Sequence, residues 1–363
     1  MSNRIYLALA VLGLSACHRS SVRAVTFGAA GPWTEAYGAM NHRGIELAVA
    51  EINARPAWRS HPLRVEFRDD KGDGVLATSI AEEFVNADSI VAVVGHVNSG
   101  AMVSAARVYD GHLPAVATTA SSPTLSGISP WTFRVISSDS VNGADIARFA
   151  ARTGHKRAAI LYENNSYGRG LTDAFRRAFP GEVVSVDPID EGVDQHLEPY
   201  LAYYRKRAPD MVFVAGTQAS GEAFLREARK DHLTAALMGG DGWTVLSADT
   251  ALAEGIFVGA PFSDADQRTE AQRFVAAFEQ KYRMTPDGNA ALAYDATMLL
   301  AAAVEKVGTD RTAIRDWLAA LDSASSFDGA TGRIWFAHGD PIGKGIVMTR
   351  IHDGALQVAE GAR

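Results

Sequence analysis

The chain has a single cysteine, Cys17, so no disulfide can form within it and stability must come from core burial. It has no basic surplus: the formal net charge is −7, which removes the electrostatic footprint of a nucleic-acid-binding protein. Beyond the N-terminus no apolar run reaches the roughly 18 residues of a membrane span. Signatures of catalysis are missing too. There is no GxSxG elbow, P-loop or HExxH, and Gly239-Gly240-Asp241-Gly242 is too compact for a dinucleotide fingerprint. The ten histidines are scattered without metal spacing. Asp69-Asp70-Lys71-Gly72-Asp73 lacks the closing ligand of a calcium loop and reads as a solvated turn. No metal, cofactor or catalytic residue is therefore expected. What remains is 363 residues of ordinary globular balance, 47% hydrophobic and 21% charged, enough for two domains.

The most informative stretch is Ser89–Ser126. Two short apolar runs, Ile90–Val94 and Ala115–Ala117, each end in a loop rich in small hydroxyl residues, His96–Gly100 and Thr118–Pro123. Ala101–Tyr109 between them has helical spacing. Strand, loop, helix, strand, loop is a unit of a parallel sheet, and such sheets bind ligands beyond the carboxyl ends of their strands. Ser99 falls at the helix start, where free N–H groups and the positive dipole end suit an anion. One serine before a helix is commonly only an N-cap. Two such loops after adjacent strands point to a site for a small carboxylate.

The same alternation extends to both sides. Val25–Ala29, Leu63–Phe67 and Trp131–Val135 read as strands, Tyr37–Ala54 and Gly74–Ala87 as helices. The pattern then restarts, with helices Gly143–Thr153, Tyr167–Phe179, Leu197–Arg207 and Glu222–Asp231 alternating with short apolar strands as far as Ile256–Gly259. Helices Gln267–Tyr282, Ala290–Lys306 and Arg311–Leu321 and hairpin-like strands Ile334–Phe336 and Ile346–Ile351 close the chain. Two consecutive series without a flexible linker predict two doubly wound α/β lobes around a cleft that hinge bending can close. In the second series Tyr167 opens a helix after one strand and Asp241 follows another. A staple contact and an Asp-Gly turn explain either residue alone. Together they set a phenol and an anion against the hydroxyl loops, which matches a ligand carrying both a carboxylate and an ammonium.

At the N-terminus, Arg4 precedes the apolar run Ile5–Leu14, followed by Ser15-Ala16-Cys17. A basic start, a short apolar core and a small-residue stop describe a secretory signal. The end resembles a bacterial lipobox, with Cys17 as the lipid attachment point. His18 follows it where an aspartate would argue for inner-membrane retention.

Several motifs in this order resemble the leucine/isoleucine/valine-binding protein family, the type I periplasmic substrate-binding proteins of ABC importers. They are Gly31-Pro32 with Tyr37-Gly38, Arg43–Ala48 with Glu51-Ile52-Asn53, and Asp69-Asp70. Val94-Gly95-His96 with Ser99-Gly100, Ser121-Ser122-Pro123, Tyr167–Gly170, Gly239–Gly242 and Phe327–Gly332 continue the series. The resemblance implies two lobes joined by a three-stranded hinge, with crossings near Ile136–Asp139, Ala260–Asp264 and Phe327–Gly332. It divides the chain into a lipoprotein signal peptide (1–16), a tether (17–24), an N-terminal lobe (25–138 plus 264–328) and a C-terminal lobe (139–263 plus 329–363). It places a ligand carboxylate on the Ser99 hydroxyl and the N–H groups around Gly100 and Ser121. The ammonium would meet the Thr119–Ala120 backbone, the Ser121 hydroxyl and Asp241, with Tyr167 reaching in from the second lobe. Asp241 stands where the family often has glutamate. Gly72 and Asn98 occupy the positions of a family disulfide, and Thr217 and Gln218 those of an aromatic wall. These last two make the pocket less purely apolar, with Tyr37, Trp33 and Trp243 left to line it, so that a polar or aromatic amino acid, a small amide or another carboxylate fits as well as leucine.

The expected function is extracytoplasmic capture of an amino acid or similar small polar solute by a lipid-anchored monomer that delivers it to an ABC permease. The competing reading is a ligand-sensing or envelope-assembly lipoprotein of the same fold. An enzyme would need an activated nucleophile or a metal in the cleft, and the sequence offers neither.

Overall fold

The computed structural model describes residues 24–191 and 196–362. Cys17 and the leader lie outside the described residues. The first lobe begins with β1 (Val25–Gly31), α1 (Ala36–Ala54), β2 (Leu63–Asp69), α2 (Gly74–Asn86) and β3 (Ile90–Gly95). It continues with α3 (Ser99–Tyr109), β4 (Ala115–Ala117) and β5 (Thr132–Arg134). Its sheet has the order β2-β1-β3-β4-β5 and is parallel throughout. Helices cover both faces, so β1 and β3 are buried along their whole length. That is why they read as continuous apolar runs rather than as alternating ones.

The second lobe repeats the plan with α4 (Asp139–Arg152), β6 (Arg157–Glu163), α5 (Ser166–Ala178), β7 (Glu182–Ile189) and α6 (Glu198–Arg207). Then come β8 (Met211–Ala215), α7 (Gln218–Lys230), β9 (Ala236–Gly239), a 3-10 segment Asp241–Ala248, α8 (Thr250–Ala253) and β10 (Phe257–Ala260). The parallel order is β7-β6-β8-β9-β10, the same 2-1-3-4-5 order as in the first lobe. In this topology the crevice opens between the first and third strands, where the chain reverses direction across the sheet. The two crevices are the β1/β3 and β6/β8 gaps.

The chain then returns to the first lobe through α9 (Thr269–Tyr282), α10 (Gly288–Val307) and α11 (Arg311–Ala319). α10 packs along α1, closely enough that a Cβ at Gly44 would stand 2.2 Å from the Ala290 carbonyl oxygen. Gly143 plays the same part in α4 against the Leu171 carbonyl at 2.4 Å. It therefore lies inside a helix that already starts at Asp139, four residues before the start read from the sequence.

One boundary is corrected. The hairpin β11 (Phe327–Gly329) and β12 (Gly332–Ile334), with β13 (Phe336–Ala337) and β14 (Asp340–Pro341), stays on the first lobe. Ile334 and Phe336 belong to the core cluster of α1, α10 and α11. The Gly127 and Arg134 N–H groups donate to the carbonyls of His338 and Gly339, both at 3.0 Å. The Ala330–Thr331 turn, read as the third crossing, is pinned to α10 by Asp295, which accepts from both N–H groups at 2.7 and 2.8 Å. The crossing itself falls between Pro341 and Val347. There β15 (Val347–His352) joins β10 antiparallel and pairs in turn with β16 (Ala355–Val358). Segment 329–341 thus belongs with the first lobe, not the second.

Because Gly44 sits against backbone that cannot retreat without parting α1 from α10, Gly44→Ala should lower unfolding stability by about 1–3 kcal/mol. Urea denaturation followed by circular dichroism measures this. An unchanged midpoint would mean that the two helices can separate freely.

Candidate functional site

Loops from both crevices converge on one cleft of about 270 Å³. On the first-lobe wall α3 starts at Ser99. The Ser99 Oγ accepts from the N–H groups of Ser121 (3.2 Å) and Ser122 (3.1 Å), which ties the two hydroxyl loops together. With its lone pairs so engaged, its O–H is left to donate. The Thr119 hydroxyl donates to the Val97 carbonyl at 3.0 Å. Behind the loop, the guanidinium of Arg134, only 1% exposed, donates to the Ser122 carbonyl, the Ser126 hydroxyl and Asp340, each at 2.8 Å. Across the β1/β3 gap, the Asn98 amide donates to the Tyr37 hydroxyl at 3.1 Å.

The second-lobe wall is organised by Glu163, a buried carboxylate at the end of β6. Its Oε1 accepts from the Thr217 N–H (2.9 Å), the Thr217 hydroxyl (2.7 Å) and the Ser220 hydroxyl (2.7 Å). Its Oε2 accepts from the Asn165 amide at 3.0 Å. This closes the β6/β8 gap and sets α7 starting at Gln218, four residues before the start read from the sequence, with Thr217 at its cap. Tyr167 donates from its hydroxyl to Asp241 Oδ1 at 3.0 Å and accepts from the Gly242 N–H at 3.3 Å.

Burial pushes the Asp241 carboxyl up to about 6, against the stabilising Tyr167 hydrogen bond. Asp139, fully buried at the start of α4, is raised well above the carboxylate range, by burial first and then by the charge of Asp241. Its N–H donates to the Ser121 carbonyl at 2.8 Å. Burial also raises Tyr37 and Tyr167, which keeps both phenols protonated.

Of the residues singled out from the sequence, Ser99, Gly100, Thr119 and Tyr37 line the cleft from one side and Tyr167, Thr217 and Asp241 from the other. Ala120 and Ser121 do not. Both are fully buried; Ala120 packs in the apolar cluster beneath α3, and the Ser121 N–H is already spent on Ser99. Ser121 acts from behind, beside Asp139. Sequence reasoning missed Asp139 as a site group, although it stands at a strand's carboxyl end by the same logic that found Asp241. It also missed Asn98 as a lining group and Asn289, at the start of α10. The Asn289 amide bridges the lobes by donating to the Thr244 hydroxyl at 3.1 Å. Among the described residues one acidic cluster has metal-ligand spacing, Glu254, His352 and Asp353; it is exposed and lies outside the cleft lining.

Two crevices of identical topology facing across a three-segment hinge define a type I periplasmic binding protein fold. A sequence profile of the periplasmic binding protein family matches residues 24–355, and the chain belongs to that family. It is similar to the leucine-, isoleucine-, valine-, threonine- and alanine-binding protein of Pseudomonas aeruginosa, 26% identical over 92% of this chain and 91% of that protein. Among solved structures it is similar to an ABC transporter substrate-binding protein from Desulfitobacterium hafniense in complex with Leu. That match is 30% identical with a TM-score of 0.80, over 92% of this chain and 99% of that one. The branched-chain amino acid transporter substrate-binding protein LivJ from Streptococcus pneumoniae, in complex with isoleucine, superposes with a TM-score of 0.86 at 26% identity, over 93% and 99% of the two chains. The family is one of extracytoplasmic solute-binding proteins, not of enzymes. No helix among the described residues is long and apolar enough to cross a membrane.

The raised Asp241 carboxyl has a consequence for the ligand-free protein. A folded-state value above the unfolded one means that this group favours folding most at low pH and that the contribution is lost as pH rises through about 6. Asp241→Asn should therefore stabilise the empty protein by about 1–3 kcal/mol at pH 7.5 and leave it unchanged near pH 4. Urea titrations of both proteins at the two pH values measure this, and equal midpoints at pH 7.5 would contradict the assigned burial cost.

Proposed function

We propose that the chain captures an α-amino acid between its lobes and passes it to an ABC permease, acting as a monomer held to the membrane through a lipid on Cys17. The carrying observation is the division of charge across the cleft. The Ser99 O–H and the free N–H groups of α3 donate from one wall, and the Asp241 carboxylate accepts from the other. The first arrangement suits a carboxylate and the second an ammonium. The geometry favours capture by closure. The ligand docks on the Ser99 loop, and the second lobe then brings Tyr167 and Asp241 over it, excluding water and strengthening the charge-assisted hydrogen bonds. A permease that engages only the closed form then reads the ligand state through this two-state hinge.

A thermal-shift screen of the protein from Ser21 onward against the common amino acids tests the reading, because a ligand that binds only the folded state raises the melting temperature by mass action. At least one α-amino acid should shift it. Asp241→Ala should weaken that ligand by about 2–5 kcal/mol, the cost of leaving one partner of a buried charge pair alone. Affinity in the parent protein should fall as pH drops through about 6, where Asp241 takes up its proton. Unchanged affinity in Asp241→Ala would remove the ammonium from this carboxylate.

A further inference from the structure

The hydrogen-bond arrangement of the cleft also constrains the ligand's side chain. We propose that the solute is an amino acid whose side chain donates hydrogen bonds, a carboxamide or a hydroxyl, rather than an aliphatic one; this deepens the amino-acid reading above and rests on it.

The inference starts from which protons are already committed. The single hydroxyl proton of Thr217 goes to Glu163 Oε1, a carboxylate oxygen that also collects the Thr217 N–H and the Ser220 hydroxyl. Toward the cleft, Thr217 can therefore only accept. The proton of Thr119 goes to the Val97 carbonyl, which leaves that hydroxyl an acceptor as well. Asn98 spends one amide proton on Tyr37, and its buried Oδ1 has no hydrogen-bond partner among the described residues. Of the donors left over, the Ser99 O–H and the start of α3 sit at the end assigned to the ligand carboxylate, while the Tyr37 O–H, whose oxygen accepts from Asn98, and the Lys71 ammonium also line the cleft. At Thr217 and Thr119 the cleft offers acceptors.

Aliphatic carbon is scarce in the same wall. Val97 and Ala219 are the aliphatic residues lining the cleft among the described residues, and both are small. Sites for apolar ligands are lined mostly by hydrophobic and aromatic side chains. Closing this one on a leucine or valine side chain would desolvate the acceptor lone pairs of the Thr217 and Thr119 hydroxyls with nothing to pair them, and each such group costs about 1–3 kcal/mol. A side chain with N–H or O–H groups supplies what those acceptors lack. A site built to hydrogen-bond its substrate rejects the analogue that lacks the group far more strongly than an apolar pocket rejects an added hydroxyl.

Isothermal titration of the protein from Ser21 onward with near-isosteric pairs, threonine against valine and asparagine against leucine, tests this. The polar member of at least one pair should bind at least about tenfold tighter. In Thr217→Val, which keeps the backbone N–H and the Ser220 hydroxyl on Glu163, that ratio should fall toward unity while the aliphatic member binds no more weakly. Equal or tighter binding of valine and leucine in the parent protein overturns this inference and leaves the amino-acid reading standing. Binding of no α-amino acid at all overturns both.

Discussion

Two desolvated carboxyls, Asp241 on the cleft wall and Asp139 buried behind it, are the constraint to which the rest of the cleft answers. Asp139 is fully buried and Asp241 half-buried, and each carries a raised carboxyl because water has been removed from around it. The nearby cation, Arg134, is already committed to Asp340 and the Ser122 carbonyl. The Asp241 carboxylate of the empty site is therefore ionised above about pH 6 at a cost in desolvation. Such a charge destabilises the ligand-free fold and becomes favourable only when a cationic group enters and water leaves. On the proposed reading this couples binding to closure, since a solute that lacks the cation would give the closed form no electrostatic advantage. It also accounts for Tyr167, whose hydroxyl is used up on Asp241 and the Gly242 N–H. That residue holds the carboxylate in place and closes the wall behind it.

The two lobes reach this arrangement by the same construction. Each has strand order 2-1-3-4-5, and in each a buried oxygen acceptor gathers donors from a neighbouring loop. On the first lobe it is the Ser99 hydroxyl, which holds two backbone N–H groups. On the second it is Glu163, which holds an N–H and two hydroxyls. The difference in chemistry decides what each wall shows the cleft. A hydroxyl with its lone pairs engaged still has a proton to give. A carboxylate takes the proton of its neighbour Thr217 and leaves that residue only lone pairs. The donor wall and the acceptor wall thus follow from a serine at the start of α3 on one side and a glutamate at the end of β6 on the other.

Much of this was legible in the sequence because parallel strands with both faces covered are short apolar runs, and whatever follows them stands at the ligand end of the sheet. That rule alone brings Ser99, Thr119, Tyr167 and Asp241 to the cleft. It does not say which hydroxyl of a loop faces the ligand. Thr119, Ser121 and Ser122 look equivalent as letters, yet Thr119 lines the cleft while Ser121 is turned inward by the bond from its N–H to Ser99. Asn289 was not legible because it arrives from a helix nearly two hundred residues downstream of Ser99. Its place in the cleft depends on the return of the chain to the first lobe. The third crossing was misplaced for a related reason. Phe327–Gly332 has the glycines of a turn, but the Asp295 carboxylate that pins this turn to the first lobe is distant in sequence.

The resemblance to the leucine/isoleucine/valine-binding proteins also implied a disulfide that this chain lacks, and the two loops it would have linked are joined here by polar contacts. A Cβ built on Gly72 would stand 3.3 Å from Asn98 Cγ, so the two positions are adjacent as a crosslink requires. A buried polar network joins the same two loops. Asp70 accepts from the Gly72 N–H at 2.8 Å through one oxygen and meets His96 Nδ1 at 2.6 Å through the other. His96 Nε2 continues to the Tyr109 hydroxyl at 2.9 Å, at the far end of α3. All three side chains are fully buried, where a satisfied network holds one arrangement and a partly satisfied one costs more than an apolar core. The network fixes the segment from His96 to Ser99 before any ligand arrives, so the Ser99 donor is positioned in advance. It also leaves Asn98 free to be an amide on the cleft wall, where a cystine would have presented sulfur.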